Sequence, residues 1–144
     1  MNKKNRGFTL IELIVTIAIV SIIATMAAPS FGDMRSRQNL ATSQQDLIAK
    51  LNLARSQAVL QRRTVTLNLN SSVPDTNLVV NWAPTGDAVL MPSSPSTLDF
   101  TLDGLVNKTT DTTFEICNRN SGNKSKKVIV SKMGTIQQAV EGTC

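Results

Sequence analysis

A single carboxylate, Glu12, stands inside an otherwise uncharged apolar stretch that runs from Phe8 to Pro29. An ionised carboxylate in such surroundings requires a cation or strong hydrogen-bond donors, because leaving it unpaired is costly. In a membrane that cost is on the order of 2–3 kcal/mol, less near the interface. A second candidate is the pair Cys117 and Cys144. Two cysteines without histidine make a poor zinc site, since a closed site wants four ligands. In an exported domain one pair favours a disulfide, and closing a loop of about 28 residues contributes roughly 3–4 kcal/mol in the chain-entropy model; two reduced, buried thiols are the alternative. The third candidate is a run of cations without an intervening acid: Arg119, Lys124, Lys126, Lys127 and Lys132. Such charge can contact phosphates without sequence preference, or it can decorate a hairpin around Ser121-Gly122-Asn123.

Other chemistry is poorly supplied. Histidine and tyrosine are absent, which removes Ser-His-Asp and Cys-His catalysis, histidine metal sites and tyrosine acid chemistry. The acids Asp99, Asp103, Asp111 and Glu115 do not have the spacing of an EF-hand loop, and strand-edge and turn solvation accounts for them. Five aromatics (Phe8, Phe31, Phe100, Phe114 and Trp82) are few for a base-stacking platform. The expectation is a protein without catalytic residues, cofactor or metal.

The elements that must position these groups follow from the pattern. The chain has 144 residues, enough for one ordinary domain and an appendage. Of the formal charge of +5, Lys3, Lys4 and Arg6 carry +3 within the first seven residues. The apolar run behind them is long enough, at about 1.5 Å per residue, to span a bilayer core. Cations in front of it stay cytoplasmic and send the rest of the chain outward. An ordinary signal peptide cut near residues 26–28 is the alternative. The run is longer than a usual signal core, however, and a segment destined for removal gains nothing from a carboxylate.

Gly7-Phe8-Thr9-Leu10-Ile11-Glu12-Leu13, behind a short basic leader and opening an apolar helix, resembles the processing motif of type IV prepilins and type II secretion pseudopilins. The resemblance implies a leader over residues 1–7, cleavage after Gly7 by a prepilin peptidase, and N-methylation of Phe8. It implies that Glu12 pairs with the amino terminus of a neighbouring subunit during assembly, and that Pro29 kinks the helix. A proline removes a backbone hydrogen bond and clashes with the preceding turn.

Beyond Pro29 a helical period resumes. Leu40, Leu47, Leu51, Ala54 and Ala58 form one stripe, with Ile48 and Val59 beside it. Arg37, Gln45, Lys50, Asn52, Arg55 and Gln57 occupy the opposite face, and the helix is expected to end near Arg62-Arg63, whose charges suit the helix dipole. The period then changes to two: Val65/Leu67/Leu69, Leu78/Val80/Trp82, 88–91, Leu98/Phe100/Leu102, Phe114/Ile116 and Val128/Val130. Short antiparallel strands follow from that alternation, with 91–97 as the best exposed loop. The fold class is α+β: a stem helix, with a membrane-spanning half over 8–30 and an amphipathic half over 31–63, packed on an antiparallel sheet or sandwich head over 64–144.

This layout, the phrase Leu53-Ala54-Arg55-Ser56-Gln57-Ala58-Val59, and the runs Phe114–Arg119 and Val128–Gly134 further resemble the FimT/FimU and GspH group of minor pilins and pseudopilins. That resemblance implies a minor filament subunit, single-pass in a bacterial inner membrane with a periplasmic head, that joins other major and minor pilins in a pilus and primes assembly at the tip. A pseudopilus of a type II secretion system is the alternative. Some members of the group bind DNA for natural transformation, which gives Arg119, Lys124, Lys126, Lys127 and Lys132 a second reading. DNA-binding members tend to carry arginines after the glycine that starts the last strand, whereas Gly134 here precedes Thr135-Ile136-Gln137-Gln138.

Overall fold

The computed structural model describes residues 8–139 and 141–144, with residues 26–30 described by their backbone alone. The expected leader, Gly7 included, lies outside the described residues. One helix, α1 (Leu10–Gln61), is followed by seven strands: β1 (Val65–Leu69), β2 (Val79–Trp82), β3 (Val89–Leu90), β4 (Thr97–Phe100), β5 (Thr112–Cys117), β6 (Ser125–Val130) and β7 (Ile136–Gln138). Helix assignment continues through position 29, the expected kink, whose side chain is not among those described. The chain divides at Arg35/Ser36 into two compact units.

In the C-terminal unit the expected helical stripe is the one that is buried. Leu47, Leu51, Ala54 and Ala58 are fully covered and Leu40 nearly so, against Val65, Leu67, Val80, Leu98, Phe100, Phe114, Ile116, Val128 and Val130. Each large aliphatic side chain withdrawn from water in this way contributes about 1.5–3 kcal/mol. Ala54 and Ala58 lack bulk, so the upper turns of α1 can approach the strands closely. Val59, expected beside the stripe, is 47% exposed. Ser36, Ser43 and Gln44 are buried on the same side as the stripe and bond across to the head: Ser36 Oγ to Asn118 O at 3.2 Å, Gln44 Nε2 to Lys127 O at 3.1 Å, and Thr85 N to Ser43 Oγ at 2.8 Å.

The helix stops by geometry rather than by charge. Arg62 takes a left-handed φ of 51°, and Arg63 N donates to Ala58 O at 3.2 Å. That is the six-to-one bond of a Schellman ending, with Arg62 where glycine is usual. Both arginines therefore lie past the last helical turn and not within it, as the dipole argument assumed.

The strands form two sheets, ordered β2-β1-β4 and β3-β5-β6-β7. Most pairs are antiparallel, but β1 and β2 run parallel, Thr66 opposite Val79 through Leu69 opposite Trp82. The loop 70–78 recrosses the sheet to make this possible. Asn70 turns it with φ 56°, Thr76 N bonds Val79 O at 2.8 Å, and Asn81 N bonds Asp75 Oδ1 at 2.8 Å. Lys50 on α1 pairs with the other oxygen of Asp75, Oδ2. Leu102, expected in a strand, instead sits in a turn and is 51% exposed, because β4 ends at Phe100. The loop 91–97 is tied down by Ser94, whose Oγ accepts from Glu115 N at 2.9 Å. Strand β7 has almost no apolar alternation, since its burial falls from half-buried Ile136 to exposed Gln137 and Gln138.

Cys117 and Cys144 are joined in a disulfide with a Cα–Cα separation of 5.9 Å, inside the usual range. It fixes the C-terminal tail, which also pairs with β6 through Ser125 and Gly142. Replacing both cysteines by serine is expected to lower unfolding stability by roughly 3–4 kcal/mol. Chemical denaturation of the oxidised and doubly substituted proteins measures this, and coincident curves would refute it. The Lys50 bond, with smaller help from Asn81 N, holds the Asp75 carboxyl below its usual range. A depressed folded-state value means that the pair stabilises fully above about pH 4 and that its contribution is lost as pH falls through the folded value. Asp75→Asn should flatten the acid limb of the stability–pH curve, read by urea unfolding between neutral pH and the acid range.

Candidate functional site

The N-terminal part of α1 is apolar on every side. From Phe8 to Ile23 each large apolar side chain is between 48% and 87% exposed, and Phe31 and Met34 are 69% and 70% exposed. A helix of this kind is stable when buried in a membrane or in a bundle of partners. Its hydroxyls are satisfied internally: Thr16 Oγ1 donates to Leu13 O at 2.8 Å, Ser21 Oγ to Ile17 O at 2.7 Å, and Thr25 Oγ1 to Ile22 O at 2.8 Å. Such back-bonding leaves no hydroxyl proton seeking water. Among the described residues no helix is long and apolar enough to cross a membrane. The apolar part with described side chains, residues 10–25, is about 24 Å long at 1.5 Å per residue, against about 30 Å of hydrocarbon. The rest of the expected span falls on residues 26–30, described by backbone alone.

Glu12 has a local role that the charge argument passed over. Thr9 N and Thr9 Oγ1 both donate to Glu12 Oε2 at 3.0 Å, and Glu12 N donates to Thr9 Oγ1 at 3.3 Å. This is a capping box, with Thr9 as the N-cap and Glu12 three residues on. Its Thr-x-x-Glu signature was legible in the sequence. The carboxylate caps its own helix, and no cationic side chain among the described residues pairs with it.

The five cations near the C-terminus do not all share one face. Lys126 and Lys127 are neighbours on β6 and so point to opposite sides of the sheet. Lys127 pairs with Glu115 at 3.4 Å, while Lys126 pairs with Glu141 at 3.5 Å. Arg119 and Lys124 belong to the β5–β6 hairpin, where Asn118 N bonds Lys124 O at 3.0 Å. Lys132 lies beyond the other end of β6, roughly 25 Å along the strand direction from Lys124 at about 3.3 Å per residue. The acids are equally dispersed: Thr66 Oγ1 donates to Asp99 at 2.7 Å and Ser125 Oγ to Glu115 at 2.7 Å. Among the described residues no cluster of three or more acids or cysteines could hold a metal ion.

Arg55, expected on the solvent face, is a structural clasp instead. Its Nε donates to Gly104 O at 3.2 Å and its Nη2 to Met133 O at 3.4 Å. The turns Thr101–Leu105 and Ser131–Thr135 share one hydrogen-bond pattern, each with a glycine at positive φ in its fourth place. A Cβ on Gly134 would stand 2.2 Å from Gly104 O and 2.9 Å from Arg55 Nε, so this position admits only glycine.

Residues 2–28 match the prokaryotic N-terminal methylation motif, and residues 43–134 match the family described as type II transport protein GspH. The type IV major alpha-pilin of Moraxella bovis is 28% identical over 141 residues, which cover 96% of this chain and 84% of that protein. The type IV major pilin protein PilA of Myxococcus xanthus is 42% identical over 48 residues, 33% of this chain but only 22% of that pilin's length. The crystal structure of the type IV minor pilin FimU of Pseudomonas aeruginosa superposes with a TM-score of 0.54 at 25% identity, over 72% of this chain and 90% of that one.

Removing the N-cap side chain tests the capping box. Thr9→Ala should destabilise the first turn of α1 by about 1 kcal/mol, which is roughly a fivefold loss of amide protection. Hydrogen exchange at residues 10–13 of the micelle-bound protein reads it, and unchanged protection would show that Thr9 does not cap.

Proposed function

We propose that this chain, which belongs to the GspH family and is a type IV pilin-like protein, is a non-catalytic minor subunit of a pilus. It is made as a membrane-anchored precursor, is cleaved after Gly7 by a prepilin peptidase and methylated on Phe8, and helps to start assembly with other pilins at the filament tip. The observation that carries this reading is Glu12, the one charged side chain between Phe8 and Pro29, on the part of α1 whose described large apolar side chains are all exposed. Cleavage after Gly7 would create a positive amine one turn from that carboxylate on every subunit. A cation from a neighbour and apolar helices packed side by side would satisfy both features at once.

The family's description and the similarity to FimU leave one chemistry with two settings, a pilus and a type II secretion pseudopilus. In the pilus reading, Glu12→Ala yields protein that is still processed and still in the inner membrane but no longer supports filaments. Cell fractionation with electron microscopy of surface pili measures this. Normal piliation in the variant would sink the proposal, and loss of protein secretion with pili intact would move the subunit to the pseudopilus.

A further inference from the structure

Cations gather at the end of the C-terminal unit where the chain enters it. Three bonds fix the geometry. Ser36 Oγ donates to Asn118 O at 3.2 Å and accepts from Asn118 Nδ2 at 3.3 Å, and Gln44 Nε2 donates to Lys127 O at 3.1 Å. From Ser36 to Gln44 the helix therefore runs alongside β6, starting at its Lys124 end. Arg37 and Gln44 are seven residues apart, two helical turns, so Arg37 shares the face that reaches β6. On the strand, alternation gives Lys124 and Lys126 the side of their cross-strand partners Asn118 and Ile116, which is the helix side. Arg37, Lys124 and Lys126 converge there, and exposed Arg119 in the hairpin adds to the positive field.

Little opposes this charge. Glu141 reaches Lys126 at 3.5 Å but is itself 72% exposed, and such a pair contributes little. Among the described residues Arg37, Lys124 and Arg119 make no ion pair. Asp33 and Arg35, just before them in the chain, cancel in charge.

Two observations point to a lipid phosphate as the counter-charge. Arg37 follows Pro29, the end of the apolar run, by eight residues, or about 12 Å of helix. That is close to the distance, about 10 Å at 0.1 M salt, over which an anionic surface is felt. Cations close to a membrane span also ordinarily mark its cytoplasmic side, the side of Lys3, Lys4 and Arg6. Arg37 flanks the opposite end and works against that orientation, so an attraction on its own side has to offset it. A nucleic-acid duplex would call for charge spread along the head, whereas Lys127 and Lys132 lie off this patch.

We propose that Arg37, Lys124 and Lys126 bind the phosphate of an anionic phospholipid in the leaflet from which the head emerges. The inference rests on the membrane-anchored reading above. Entry of the subunit into a filament would exchange these lipid contacts for others.

The full chain in phosphatidylcholine vesicles is probed by electron paramagnetic resonance, with spin-labelled phosphatidylglycerol and, separately, spin-labelled phosphatidylcholine. Both labels should show a motionally restricted population at the protein. Phosphatidylglycerol should be preferred about fivefold for each cation engaged, and salt should erode the preference. Substituting Arg37→Gln, Lys124→Gln and Lys126→Gln together should remove most of it. The charge-conserving set Arg37→Lys, Lys124→Arg and Lys126→Arg should keep it, as should Lys108→Gln with Lys132→Gln at the far end of β6. A restricted population without preference for phosphatidylglycerol overturns the lipid site and leaves the anchor standing. A preference that survives the triple glutamine substitution also overturns it, and loss of DNA retention in that same variant would assign the cations to nucleic acid. No restricted population with either label overturns the anchored reading, and the lipid site with it.

Discussion

The head exists because one stripe of α1 must leave water. Leu40, Leu47, Leu51, Ala54 and Ala58 offer a ridge about one side chain wide, and neither sheet alone could cover it. The three-stranded sheet contributes Val65, Leu67, Val80, Leu98 and Phe100; the four-stranded sheet contributes Phe114, Ile116, Val128 and Val130. Every other device in the head serves that seam. The polar bonds of Ser36, Ser43 and Gln44 interrupt the apolar ridge, yet each has a backbone or amide partner in the head. They set register, since a shift of one helical turn would leave buried donors unpaired.

The two ends of the seam are locked differently. Near Ser36 the helix is held by hydrogen bonds to Asn118, the residue after a covalently tied cysteine. The Cys117–Cys144 bond sits beside Asn118, whose carbonyl and amide both meet Ser36, so tail, strand and helix meet at one place. Near Arg55 the lock is a cation between two peptide carbonyls. The guanidinium holds the turns after β4 and β6 together, and the close approach of Gly134 to the Gly104 carbonyl leaves no room for a side chain. This end requires two glycines because both turns take a positive φ and a Cβ on Gly134 would strike the Gly104 carbonyl.

Much of this was legible from residue order. The stripe on α1 shows itself by spacing, and six of the seven strands by their apolar segments, because a half-buried strand tends to alternate. The antiparallel direction expected of the strands holds for every pair but β1–β2, whose parallel direction was not legible. The β1–β2 pair is parallel through side-chain bonds from Asp75, Asn81 and Lys50 that no local period records. Strand β7 leaves no alternation in the sequence because it is held by backbone bonds to β6 and buries little of itself. Arg55, expected on the face opposite the stripe, instead reaches the two glycine turns, whose location no helical period records. The five C-terminal cations read as one cluster in sequence, but strand alternation turns Lys127 to the other side from Lys126, and strand length carries Lys132 away from the hairpin of Arg119 and Lys124.

The capping box changes how Glu12 should be understood. A carboxylate with no partner would pull its helix toward water and resist every apolar environment. Thr9 removes part of that penalty within the chain, because two donors on Oε2 spread the negative charge and the helix N-terminus carries partial positive charge. Any cation that approaches Glu12 therefore competes with, or adds to, bonds already made, and its net gain is smaller than that of pairing a bare carboxylate. A contact of small net gain repeated along many subunits can hold an assembly together and still be broken one subunit at a time. In the assembly proposed above, the apolar surface around Glu12 would supply the bulk of the association, and the carboxylate's narrower task would be to select the register in which that surface packs.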